Sequence, residues 1–348
     1  MNRLAIIGNG FDIALGIPTT YQDFLVWYLN NKVLPSLTYE RSYEDDLWLI
    51  DLKMGIYVPD RCQKKNLKPT FEAIIAANQA NSSKSLPLLL QTMVSKLNSN
   101  WGGFESSYFE LLCKHQASLK IVIKLNKELN SIEILLTEYL KSIDSLGSVN
   151  EPFEFNELFK PIDLNFVDEP SNPGFEPFNY NIEKILVLNF NYTSTTSNLI
   201  QLLGDNGKDI DIIHVHGQLD SEMNPIIFGY GDETHPEFNK LKDLNSDDHL
   251  EHFKSYKYSR TNNLRLLNNF ISAQSFDVHL IGHSCALSDR VLLSTIFEHR
   301  NCFSIVPYLR KGVNNYFKLQ TGISRHIESM YEFRQKIMIE PQCPKFNR

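Results

Sequence analysis

The chain has 348 residues, 42% hydrophobic and 22% charged, with a net charge of −7. That is enough sequence for one or two globular domains with a large core. The acidic balance disfavours broad nucleic-acid binding, which usually shows a basic face.

Five cysteines, at 62, 113, 285, 302 and 343, form no CxxC pair. This disfavours zinc ribbons and thioredoxin-type chemistry and fits reduced thiols. Met1-Asn2-Arg3 precedes only four apolar residues, too few for a secretory leader, and no run approaches a membrane span of ~20. A cytoplasmic protein is expected.

Leu4 to Ile7 reads as a short buried parallel strand. Gly8 and Gly10 follow, where the chain must turn sharply and admit a ligand close to its backbone. A helix starting after Gly10 offers free N–H groups to a phosphate, as in nucleotide-binding α/β folds. Ile13 stands where GxGxxG has its third glycine, so an ordinary βα turn is the other reading.

Tyr21 to Asn31 reads as a helix with Phe24, Leu25, Tyr28 and Leu29 on one face. Its aromatics, Tyr21, Phe24, Trp27 and Tyr28, are read as core packing rather than base stacking. Residues 32–100 lack a clear period, apart from a loop at 81–85 and a helix over Leu86–Leu97. Trp101 opens a helix to about His115. Ser118 caps another, which runs to about Ile143 with Ile121, Leu125, Leu129, Ile132, Leu136, Tyr139 and Ile143 on one stripe. Five prolines between Glu151 and Asn181 mark a long connection or flap.

Strand character then returns at Ile185–Leu188, Ile210–Val215, Ile226–Phe228 and Val278–Ile281. Each run ends in small or polar residues. In an open parallel sheet the strand carboxyl ends line the ligand crevice. Gly8, Asn191, His216, Gly231 and Gly282 are therefore expected to converge.

His216 is the candidate base, since imidazole titrates near neutrality; a structural histidine is the alternative. Asn191 offers a donor and an acceptor, for a ribose hydroxyl or a water, or simply forms a turn. Asp12 can accept ribose hydroxyls or cap its helix, and Asp289 can cap the helix starting near Arg290. His214 and His216 fall on one side of a strand and invite a metal reading with His283 or Asp289. HxH alone is weak, because zinc hydrolases usually need three protein ligands.

Five segments carry a resemblance: IIGNGFDIALGIPTTYQDFL at 6–25, NFNYTST at 189–195, HVHGQL at 214–219, IIFGYGD at 226–232 and IGHSCALSD at 281–289. In this order they resemble the AbiH family of bacterial phage-abortive-infection proteins. That family is similar, more remotely, to sirtuin-like NAD-hydrolysing domains. The resemblance implies a Rossmann-like (sirtuin-like) α/β fold, a parallel sheet with helices on both faces. Residues 1–31 and 181–348 would form it, with a helical insertion over 32–180 that ends in the Pro-rich connection at about 151–181.

It also implies a site. Asn191 and His216 would be catalytic. Gly8, Asn9, Gly10, Phe11, Asp12, Pro18, Thr19, Tyr192, Thr193, Gly217, Gly282, His283 and Ser284 would bind the nucleotide. NAD would be the substrate, with no metal. Three departures stand out: Thr193 replaces a common aspartate, Asp12 replaces a serine, and the four-cysteine zinc module of deacetylase sirtuins is absent. The last speaks against protein deacylation.

The leading expectation is an antiphage effector that cleaves NAD to nicotinamide and ADP-ribose. A nucleotide-binding sensor module is the second reading. A metal-dependent phosphoester or nucleic-acid hydrolase built on the HVH segment is the third. A toxic hydrolase must be silent before infection, so a phage-derived trigger is expected. Control is placed in homo-oligomer state or in occlusion of the crevice by the insertion and flap.

Overall fold

The computed structural model describes residues 1–55, 57–79, 86–97, 100–144, 182–202 and 210–346. The Pro-rich connection at 151–181 and the loop at 81–85 lie outside them. The first part of the chain runs β1 (Asn2–Ile7), α1 (Asn9–Ala14), α2 (Tyr21–Tyr28), a π-turn over Leu29–Val33, α3 (Leu34–Tyr39), a hairpin of β2 (Ser42–Glu44) and β3 (Leu49–Asp51), α4 (Leu67–Gln79), α5 (Leu88–Ser95), α6 (Trp101–His115) and α7 (Leu119–Asp144). The second part runs β4 (Lys184–Asn189), α8 (Thr195–Leu202), β5 (Ile210–His214), α9 (Pro236–Asp243), α10 (Lys254–Tyr258), α11 (Asn263–Ala273), β6 (Phe276–Ile281), α12 (Arg290–Phe297), β7 (Cys302–Pro307), β8 (Leu309–Arg310), α13 (Tyr316–Ser324), α14 (Met330–Lys336) and β9 (Lys345–Phe346).

Five strands form one parallel sheet in the order β5-β4-β1-β6-β7. The chain fills one side of β1 and then returns to fill the other, which is the doubly wound pattern. β1 is buried along its whole length. Leu4 and Ile6 pack with Leu267, Phe270, Leu293 and Ile296 of α11 and α12 on one face. Ala5 and Ile7 pack with Phe11 and Leu199 of α1 and α8 on the other. Helices therefore cover both faces, as expected, and the strands read as unbroken apolar runs for that reason. Each Leu or Ile so buried contributes roughly 1.5–3 kcal/mol.

A buried ion pair interrupts this apolar sheet. Arg3 of β1 and Asp277 of β6 are register neighbours, and both side chains are fully buried. Arg3 Nε donates to Oδ1 at 3.0 Å and its Nη2 to Oδ2 at 2.7 Å. Burial alone would raise the Asp277 carboxyl, but His279 and Arg3 outweigh it and hold it below its usual value. Removing the carboxylate leaves the buried Arg3 guanidinium without this counter-charge, so Asp277→Ala is expected to cost about 3–5 kcal/mol. Urea unfolding at pH 7 checks this; a loss under ~1 kcal/mol would contradict it. The carboxylate's contribution is present above its unfolded pKa near 4 and is lost as pH falls through its lower folded value.

A third apolar cluster unites α2 to α7 with Phe228, Tyr230, Phe238, Leu241 and Phe253. The predicted stripe on α7 is buried except for Ile121, which is half-buried. The expected face of α2 is likewise buried, and its aromatics meet Trp101 and Tyr139. Thr20 caps α2 through a reciprocal box with Asp23, which accounts for its sharp start.

Three sequence expectations change. Ile226–Phe228 is not a sheet strand. Its backbone pairs with the turn after β5, Ile227 N–H donating to the His216 carbonyl at 2.7 Å, and Phe228 packs into the helical cluster. β7 was not foreseen, nor were α3 and α4 within the stretch that lacked a period. Asp289 precedes α12, yet its side chain does not cap that helix.

Candidate functional site

A cavity of about 490 Å³ opens at the carboxyl ends of the five strands. Asn9, Gly10 and Asp12 line it after β1, and Phe190 to Thr193 after β4. His216 follows β5, Gly282 to Ser284 follow β6, and Tyr308 and Arg310 follow β7. Trp101, Gly102 and Glu105 of α6 close it from the helical side. α6 can approach closely because Gly102 has no Cβ; one placed there would lie 2.4 Å from the Ala286 Cβ. The volume falls in the range of small-molecule sites.

Asp12 is the polar centre of the inner wall. It is 1% exposed. Asn191 Nδ2 donates to its Oδ1 at 3.0 Å, and the Thr193 hydroxyl donates to its Oδ2 at 2.7 Å. Burial pushes the Asp12 carboxyl up to about 7, against the pull of these two hydrogen bonds. The two departures noted in the sequence are thus partners. Asp12 lies inside α1 and does not cap it.

Asn191 is fixed on both sides. Its Nδ2 also reaches the Gly8 carbonyl at 3.2 Å, and its N–H donates to Asn189 Oδ1 at 3.1 Å. His216 Nε2 lies 3.1 Å from Asp289 Oδ1, close but poorly aligned for a hydrogen bond. The Phe190 ring packs against both His216 and His283, at 4.8 and 4.3 Å between ring centres. His283 Nδ1 accepts from the Cys285 N–H, which leaves its proton on Nε2, 3.7 Å from Asp289 Oδ2. Burial pulls the His283 pKa down to about 4, so its ring is neutral at pH 7.

Behind Asp289 lies a buried charge cluster. Lys254 Nζ donates to Asp289 Oδ1 at 2.8 Å and to Glu105 Oε2 at 3.0 Å. Burial alone would raise Asp289; Lys254, His216 and His283 outweigh it and keep it ionised. Glu105 is raised by burial and by Asp289, despite Lys254. Lys254 itself is raised, because the two carboxylates exceed the cost of burial.

Four of the predicted binding residues do not line the cavity. Phe11 is fully buried among the apolar residues of one sheet face. Pro18 presents its carbonyl to the Tyr139 hydroxyl. Gly217 has φ +89 and turns against Pro225, where a Cβ would sit 2.2 Å from the carbonyl oxygen. Gly8 packs against His283, where a Cβ would lie 2.6 Å from its Cα. Of the others, Thr19 accepts from Asn9 Nδ2 and Trp101 Nε1, each at 3.1 Å, and Tyr192 donates to the Ile227 carbonyl. Gly231, expected to converge with them, packs on the Ser288 carbonyl instead.

The N–H groups expected to face a phosphate are mostly used within the fold. Gly8 N–H donates to Ile281, Gly10 N–H to Gly282 and Phe11 N–H to Gly8, at 3.0, 2.8 and 2.9 Å. α1 is only six residues long. The HxH pair is also divided. His214 Nε2 is 2.9 Å from the Ser197 hydroxyl and its Nδ1 3.2 Å from Asn189 Nδ2, whereas His216 faces Asp289. Among the described residues no three His, Cys, Asp or Glu side chains group as metal ligands.

Glu105 and Lys254 were not foreseen, although each left a signal. Glu105 shares the stripe of Tyr108, Phe109 and Leu112, and Lys254 that of Lys257 and Tyr258. A charge at a buried helical position needs a partner.

A doubly wound parallel sheet with a crevice at its strand carboxyl ends defines a Rossmann-like α/β protein. The family model of bacteriophage abortive infection AbiH matches residues 4–308, and the chain belongs to the AbiH family. No curated protein matches it. No helix among the described residues is long and apolar enough to cross a membrane.

Proposed function

We propose that the crevice binds NAD and hydrolyses the bond between nicotinamide and ribose, as the effector step of abortive infection. One observation carries this reading. Asn191, Asp12 and His216, from three strand ends far apart in sequence, face one cavity. Nicotinamide is a ready leaving group, because its ring nitrogen is cationic in NAD. The C1′–N bond breaks and nicotinamide leaves with the electron pair. A water adds at C1′ and gives up a proton.

Asn191 orients the ribose or that water, and its own orientation is fixed by Gly8 and Asp12. Asp12, with a carboxyl near 7, can take the water's proton at neutral pH. His216, its Nε2 turned to Asp289, has Nδ1 left for a ribose hydroxyl. α6 and the other helices of the segment assigned to the insertion exclude bulk water. Control before infection then falls to a phage-derived trigger that acts on this cover or on self-association.

The test follows nicotinamide release from NAD by purified protein, with a candidate trigger where needed. His216→Ala is expected to lower release at least ~10²-fold, the usual worth of one general acid–base group, and Asn191→Ala about 10²-fold through misplacement of the ribose or water. Full activity in His216→Ala would remove the imidazole from the mechanism. Saturable NAD binding without release under any trigger would make the protein a sensor.

A further inference from the structure

We propose that Arg310, with Lys318, forms an anion subsite at the mouth of the crevice that holds the phosphates of the nucleotide. This rests on the reading that the crevice takes a nucleotide. It moves the phosphates from the glycine turn to a different part of the chain.

The turn is a poor phosphate cradle. The N–H groups of Gly8, Gly10 and Phe11 are already bonded, and a six-residue helix follows. Arg310 lies directly beside it: a Cβ built on Gly10 would be 3.0 Å from Arg310 Nη2. The guanidinium is therefore laid against the turn, on the wall of the cavity. Lys318, in the first turn of α13, lines the same side.

The backbone presenting Arg310 is well held. Arg310 pairs with Phe346 across β8 and β9, its N–H donates to Asn315 Oδ1 at 3.2 Å, and its carbonyl accepts from Val313 N–H at 3.2 Å. Other cations around the sheet are neutralised: Arg3 by Asp277, and Lys254 by Glu105 and Asp289. Among the described residues Arg310 and Lys318 have no carboxylate partner.

Charge is thus sorted along the cavity. Three carboxyls, Asp12, Glu105 and Asp289, are buried at its inner end against the single cation Lys254, while Arg310 is half-buried and Lys318 exposed at its outer end. NAD has the complementary polarity, with a cationic nicotinamide at one end and an anionic pyrophosphate in the middle. The sorting sets its direction, nicotinamide ribose inward to Asn191 and pyrophosphate outward to Arg310. A guanidinium fork suits two phosphate oxygens at once, which an ammonium does not match.

The test is calorimetric binding of ADP-ribose, inorganic pyrophosphate and phosphate-free adenosine to wild-type protein, Arg310→Gln, Arg310→Lys and Lys318→Gln. Arg310→Gln is expected to weaken ADP-ribose ~10–100-fold, to abolish pyrophosphate binding and to leave adenosine unchanged, with an unaltered melting temperature. Arg310→Lys and Lys318→Gln should lose less. Equal ADP-ribose affinity in Arg310→Gln, equal loss of adenosine, or no pyrophosphate or ADP-ribose binding by wild type would overturn the subsite. Two outcomes separate it from the parent reading. Pyrophosphate held through Arg310 without nicotinamide release keeps the subsite and rejects NAD hydrolysis. Release with an unchanged KM in Arg310→Gln does the reverse.

Discussion

Asp12→Asn is expected to abolish nicotinamide release while making the protein more stable above pH 7. The two effects have one cause. A carboxyl moved by burial from 3.8 to about 7 costs roughly 4 kcal/mol to ionise in place. The folded state therefore holds a proton that the unfolded chain gives up near pH 4. That advantage is fully present below pH 4, falls as pH rises, and is gone once pH passes about 7. Asparagine never ionises, and it keeps both contacts: its carbonyl accepts from Asn191, and its amide donates to the Thr193 oxygen. The unfolding free energy of the variant, from urea titration, should exceed that of wild type by more at pH 8.5 than at pH 5, by up to a few kcal/mol. Asparagine is also no base. Wild-type release should rise with pH through about 7 as Asp12 ionises, and the variant should be inactive throughout. Parallel stability profiles, or an active variant, would remove Asp12 from the mechanism.

Lys254→Met is the second large effect. Lys254 is wholly buried between Glu105 of α6 and Asp289 at the head of α12. Its loss leaves two carboxylates facing each other without a cation, at an expected cost of about 3–5 kcal/mol. It also unfastens α6 from the crevice, so activity should fall with stability. Adding Glu105→Gln to Lys254→Met should restore part of the loss, because one of the stranded charges is gone. Groups in one network are not additive, and a double-mutant cycle measures this directly. A Lys254→Met protein as stable as wild type would show that the cluster is not ionised as described.

Much of the sheet was legible. β1, β4, β5 and β6 are short apolar runs ending in glycine or polar residues, because strands covered on both faces have no polar side to show. α7 was legible because a long amphipathic helix repeats its period many times. β7 was missed: it keeps Phe303 exposed and ends at Pro307, so its pattern resembles a loop. Ile226–Phe228 has strand composition, but its backbone is claimed by the turn after β5. Composition reports burial, and only tertiary contacts decide which neighbour satisfies the backbone.

The site was legible in part for the same reason. Strand ends are local features, so Asn191, His216 and Gly282 could be placed from sequence. The Asp12–Thr193 and Lys254–Glu105 contacts join residues 181 and 149 apart. Nothing local distinguishes such charges from solvated ones, apart from their position on an apolar stripe. The glycines show the converse. Gly8 and Gly10 do mark a close approach, but what approaches is the Gly282–His283 backbone.

The most direct measurement is a crystal structure of the Asp12→Asn protein with NAD. The nicotinamide ribose is expected between Asn191 and His216, and the pyrophosphate on Arg310. A dinucleotide in the opposite direction, or bound away from the strand ends, would contradict it.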